Sequence, residues 1–190
     1  MKRNLFVAIG LMAVLAAPAR AGERRLHADF AVDAPLDKAW EAWTTAQGLQ
    51  SFFAPYARIE PQVGGTLDIW FSPDAPKGQR GAEDQRVMQY IEKSRFGFTW
   101  NAPPSIPTLR HQQTLVTLDF EAIDEGRTRV RFSHEGWGYG EDWDKCFDYF
   151  DGAWRSFVLP RFKHALEVGP IVAGESPELA PISQSIKVED

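Results

Sequence analysis

A change of hydrophobic period near residue 140 constrains this chain more than any other feature. Ahead of it, apolar and polar residues alternate in short runs, the period-two signature of strands with one buried face. Beyond it, Trp143, Phe147, Phe150, Trp154, Phe157, Val158, Phe162 and Ala165 recur at helical spacing from about Glu141 to Val168. Asp144, Lys145, Asp148, Arg155 and Lys163 fall on the opposite side. Glu141 and Asp142 sit where the helix dipole favours negative charge. Pro160 lies inside the stripe and should kink the helix or remove a hydrogen bond from it.

The earlier segments divide cleanly. Leu26, Ala28, Phe30 and Val32 share one face of a first strand, and Pro35 then opens a short helix carrying Leu36, Ala39, Trp40 and Trp43. A weaker helical stretch, interrupted by Gly48, spans Ala46–Phe53. Gly64-Gly65 marks a hairpin, with Leu67, Ile69 and Phe71 on one face of its second strand and Trp70 on the other. Strand patterns follow at Asp84–Glu92, Arg95–Asn101, Gln112–Ile123 and Thr128–Trp137. On the last of these, Val130, Phe132 and His134 point away from Arg129 and Arg131, and Gln112 and Thr114 are expected to project inward with them. After Gly169-Pro170 the periodicity fades into a tail over residues 169–190.

A long antiparallel sheet must bury its apolar face, and the terminal helix is the element long and apolar enough to cover it. The expected class is therefore α+β, a curved antiparallel sheet wrapped around a C-terminal helix with space between them. That domain covers residues 22–168.

The first 21 residues read as an address. Lys2 and Arg3 precede an apolar run from Leu5 to Ala17, and Ala19-Arg20-Ala21 is a small-x-small cleavage pattern, together the anatomy of a secretory signal peptide. The run is shorter than the roughly 20 residues a membrane span requires, so no stable membrane insertion is expected after cleavage. The expectation is export, to a bacterial periplasm. Removing the three basic residues of this segment from 21 leaves 18 against 26 acidic, a formal charge of −8 on the mature chain. A surface of that sign repels phosphate backbones, and nucleic acid is not an expected partner. Cys146 has no second cysteine to pair with, so stability must come from the core.

Most chemical signatures are missing. No G-x-S-x-G elbow or local Cys/His signature is present, and Cys146 reads as a small packed thiol. His27, His111, His134 and His164 are dispersed and lack the i, i+4 spacing of a helical ligand pair, so neither a metal nor any other cofactor is expected. Gly136–Gly140 is glycine-rich but matches no phosphate-binding fingerprint. What stands out is aromatic content: seven Trp, four Tyr and thirteen Phe. Phe96, Phe98 and Trp100 alternate on one strand face, opposite Phe147, Phe150 and Trp154 of the helix.

The chain resembles the helix-grip or START-like (SRPBCC) superfamily, and within it the group named for the C-terminal domain of the activator of Hsp90 ATPase. The residues carrying the resemblance are Val32-Asp33-Ala34-Pro35, Ala39-Trp40-Glu41-Ala42-Trp43-Thr44, and Glu60-Pro61-Gln62-Val63-Gly64-Gly65-Thr66. Phe98-Thr99-Trp100, Gly126-Arg127-Thr128-Arg129-Val130 and His134-Glu135-Gly136-Trp137 complete it. The resemblance implies the helix-grip fold and a cavity between sheet and helix, but no particular reaction, because members include lipid carriers, cyclases, hormone receptors and co-chaperone domains. Export argues against Hsp90 itself as partner.

The pocket residues expected from these patterns are Phe71, Phe98, Trp100, Leu118, Phe132, His134, Phe147, Phe150 and Trp154. Three functions compete for them. The first is a binding module for a small apolar or amphipathic molecule. The second is a cyclase- or hydratase-type enzyme using His134 as acid or base. The bland alternative for His134 is a core imidazole satisfied by a backbone carbonyl or a helix carboxylate such as Asp151. The third is a protein-interaction domain presenting Trp70 and Trp137.

Overall fold

A computed structural model describes residues 23–171 and 175–189; the leader segment read at residues 1–21 lies outside them. The element order is β1 (Glu23–Val32), α1 (Leu36–Thr44), α2 (Ala46–Gln50), β2 (Tyr56–Ile59), β3 (Thr66–Trp70), β4 (Gly81–Ile91), β5 (Arg95–Trp100), β6 (Thr114–Asp124) and β7 (Arg127–Glu135). A C-terminal helix follows as α3 (Glu141–Ala153), a π-helical turn (Trp154–Val158) and α4 (Leu159–Glu167), and the strand β8 (Gln184–Glu189) comes last. The strands form one antiparallel sheet in the order β2-β3-β4-β5-β6-β7-β1-β8. The α+β helix-grip architecture expected from the period change is the one observed.

Alternation explains which residues hold sheet and helix together. Val116, Leu118, Val130 and Phe132 are all fully buried on the inner face, beneath the fully or nearly fully buried Trp154, Val158, Leu159 and Phe162. The helices α1 and α2 close one end: Trp43 packs against Phe52, Phe53, Phe98 and Phe162 at ring-centroid distances of 5.1–6.2 Å. Cys146 is buried within this core, and burial pushes its thiol up to about 11. A thiol held protonated at neutral pH is a packing group.

Pro160 acts as the helical pattern required, but the chain absorbs it one turn earlier than a simple kink would. Leu159 N–H bonds the carbonyl of Trp154, five residues back, which makes the turn a π-helix. In that register the carbonyl of Arg155 would be served by residue 160, and proline has no N–H to give. Ile182 N–H supplies it instead, at 3.0 Å from Arg155 O. The segment after Gly169 is thereby tied to the helix, and β8 goes on to pair with β1 from Glu23↔Glu189 to Ala28↔Gln184. The fading periodicity of the tail gave no sign of this strand.

Two local expectations are corrected. Gln112 is exposed in the loop ahead of β6, because the strand begins only at Thr114. The glycine pair is not a two-residue turn: the β2–β3 connection runs over residues 60–65, with Gly64 at φ +84.

Candidate functional site

The imidazole of His134 is fully buried, and both of its nitrogens are occupied. Trp154 Nε1–H donates to Nδ1 at 2.9 Å, which leaves the ring proton on Nε2. Nε2 lies 2.7 Å from the Thr114 hydroxyl, which in turn donates to the carbonyl of Trp100 at 2.9 Å. Every donor in this chain has an acceptor. Burial holds His134 well below its ordinary value of 6.5, so it is neutral at physiological pH. The reading of a satisfied core histidine fits, with an indole and a hydroxyl in place of Asp151; the side chain of Asp151 pairs with Arg155 at 3.3 Å.

The rings around His134 are equally closed. Trp137 lies 4.2 Å from it centroid to centroid, packs on Phe147 at 5.1 Å, and donates its Nε1–H to the His134 carbonyl at 2.9 Å. It is 6% exposed, so Trp137 is a core residue and not the surface tryptophan an interaction domain would present. Trp70 is half-buried between Tyr56, stacked at 4.2 Å, and the guanidinium of Arg80 at 4.7 Å.

Open space lies on the other side of Trp154. A groove of about 450 Å³ is lined by Phe53, Phe71, Trp100, Tyr149, Phe150 and Phe157, with Trp154 and Val158 as its floor. Of the expected pocket residues, Phe71, Trp100, Phe150 and Trp154 line it. Phe98, Leu118, Phe132, His134 and Phe147 do not; they are core, and the expected space between sheet and helix is filled there by contacts such as Phe132–Trp154 at 4.8 Å. The cavity is an open groove at the mouth of the grip. Phe71, Tyr149 and Phe157 are 42%, 49% and 43% exposed, an unusual concentration of wet aromatic surface.

Two local departures from regularity open the groove. Gly152 stands inside α3, where glycine costs roughly 0.5–1 kcal/mol relative to alanine. A Cβ there would meet nothing within 4 Å, so its absence widens the groove without relieving any clash. The π turn that follows inserts one residue into the helical phase and rotates Phe157 out of the buried stripe onto the groove wall, beneath the guanidinium of Arg161 at 4.7 Å. Phe53 and Tyr149 were missed in the sequence, Phe53 because it follows a weak helix and Tyr149 because it sits off the apolar stripe. Among the described residues, no three His, Cys, Asp or Glu side chains come together in a way that could hold a metal ion. No helix of the described residues is long and apolar enough to cross a membrane.

A family model described as Activator of Hsp90 ATPase homolog 1-like protein matches residues 33–167. The chain belongs to that family. Solved structures agree on the fold. CalU16 from Micromonospora echinospora is 14% identical, covers 78% of this chain and 78% of its own, and has a TM-score of 0.58. The Aha1 dimer from Colwellia psychrerythraea is 23% identical over 76% of this chain and 97% of its own, TM-score 0.58. An Hsp90 activator from Plasmodium falciparum is 15% identical over 71% and 90%, TM-score 0.56. No curated protein matches. At these identities the likeness shows the architecture alone, and what each of these proteins binds stays with that protein.

Proposed function

We propose that this chain is an exported binding module that takes a small apolar or amphipathic molecule into the groove over Trp154 and performs no chemistry on it. The observation that carries the reading is Gly152: a helix interior gives up propensity where a side chain would fit freely, and the space so kept is walled by rings. Its volume falls within the range of small-molecule sites, about 300–1,000 Å³. Binding is preferred to acid–base turnover because His134 offers no free nitrogen and is absent from the groove wall. Hsp90 is left out of the proposal because export of the mature chain, read from Lys2 to Ala21, would separate it from a cytosolic chaperone.

Native mass spectrometry of protein recovered from a periplasmic fraction tests both parts. The expected species begins at Gly22 and carries extra small-molecule mass that disappears in Gly152→Leu, which fills the groove. The uncleaved mass would overturn the export reading. Failure of the purified protein to bind N-phenyl-1-naphthylamine, an apolar fluorescent probe, would overturn the binding one.

A further inference from the structure

Pro160 gives the helix between Trp154 and Leu159 a choice of two registers. The Leu159 N–H can reach the carbonyl of Trp154, five residues back, or that of Arg155, four back as in a regular α-helix. Because proline has no N–H, each register leaves one carbonyl without a helical donor: Arg155 O in the first, Ser156 O in the second. The structure takes the first, and the donor that completes it comes from outside the helix, Ile182 N–H at 3.0 Å from Arg155 O. That donor favours the π register over the regular one by one hydrogen bond.

A second contact from the same segment falls beyond Phe157. The Arg161 guanidinium, which covers the Phe157 ring, donates to Phe52 O at 2.8 Å and reaches Glu175 O at 3.5 Å. The chain on either side of this stretch is moored, by Ile171 N–H on Ser51 O at 2.9 Å and by β8 on β1, and Ile182 packs against the core. The segment therefore meets the helix at Arg155 and Arg161, which flank Phe157. Phe157 is also the residue whose place on the groove wall depends on the π turn: without the added residue of phase it returns toward the buried stripe.

We propose that residues 175–183 form a strap whose docking on the helix is coupled to occupancy of the groove. Docking holds the π register and keeps Phe157 on the wall that a guest packs against. A guest packed on Phe157 in turn favours the docked strap, because coupling between two sites acts equally in both directions. This rests on the groove being a binding site and adds how its shape is controlled. The guest needs no contact with the strap itself.

The test uses the purified protein and N-phenyl-1-naphthylamine. Ile182→Pro removes the N–H, whereas Ile182→Ala also trims the side chain but keeps it. The affinity of Ile182→Pro for the probe is expected to be lower than that of Ile182→Ala by about three- to tenfold, the weight of one hydrogen bond. Saturating probe should slow hydrogen exchange at the Ile182 amide of the unsubstituted protein by about the same factor. Equal affinities in the two variants, or Ile182 exchange indifferent to the probe, overturn the coupling while the groove stands. The exchange measurement needs no substitution, so it decides the question even if Ile182→Pro does not fold. If the unsubstituted protein does not bind the probe, the groove reading fails first and the coupling falls with it.

Discussion

Trp154 divides two aromatic regions built from the same residue types. On one side its N–H is fixed to His134, and Trp137, Phe147, Phe150 and Thr114 close around the imidazole. On the other its ring forms the floor of a groove whose rim residues Phe71, Tyr149 and Phe157 stay wet. Composition does not separate the two. The difference lies in polar satisfaction and in backbone regularity: the sealed side has a complete hydrogen-bond chain on regular strands, while the open side has a helical glycine and a π turn. Apolar surface becomes core or site according to whether the backbone beside it lets the rings close.

The contrast predicts opposite responses to substitution. His134→Leu keeps the bulk but strands the Trp154 N–H, and is expected to lower unfolding free energy by about 2 kcal/mol. Urea denaturation measures this, and a loss under about 0.5 kcal/mol would mean the region is not sealed as described. The pH response comes next in size. His134 is held neutral in the fold, so as pH falls below about 6.5 the unfolded chain takes up the proton first. Its stability contribution is present above that pH and lost below it, with a slope approaching about 1.4 kcal/mol per pH unit. Urea midpoints from pH 7 to 5 should show the decline, reduced in His134→Leu. Smallest of all is Tyr149→Ser on the groove rim. It should change stability by no more than about 0.5 kcal/mol while weakening probe binding several-fold. A large destabilisation there would erase the distinction between the regions.

The sheet and the long helix were legible because each writes a period into the sequence: Val130, Phe132 and His134 alternate, and Phe147, Phe150 and Trp154 recur at helical spacing. The groove was legible in part. Side chains facing inward can be counted from a pattern, but whether they touch each other depends on distances that no pattern holds; Phe98 and Trp100 share a strand face, yet one is sealed and the other borders open space. Phe157 belonged to the apolar stripe on a regular helix, and only the π turn turns it outward. Pro160 was the visible cause of that turn, but its remedy, the Ile182 N–H, sits on a segment with no periodicity at all. Trp137 followed the strand pattern beyond Glu135, where the strand had already ended.

The position of β1 in the sheet bears on how the molecule assembles. It lies between β7 and β8, and its ion pair from Asp29 to Arg129 closes over 100 residues of sequence. The meander from β2 to β7 joins neighbours through connections of at most 13 residues, whereas β1 must wait for chain ends to meet across almost the whole domain. Contacts of such high sequence separation form slowly, because the entropy of loop closure precedes any gain from pairing. Until then Leu26, Ala28, Phe30 and Val32 make an apolar strand with open edges, a surface that invites a holding chaperone or aggregation. The strand made first is thus the one whose two pairings, to β7 and to β8, span the most sequence.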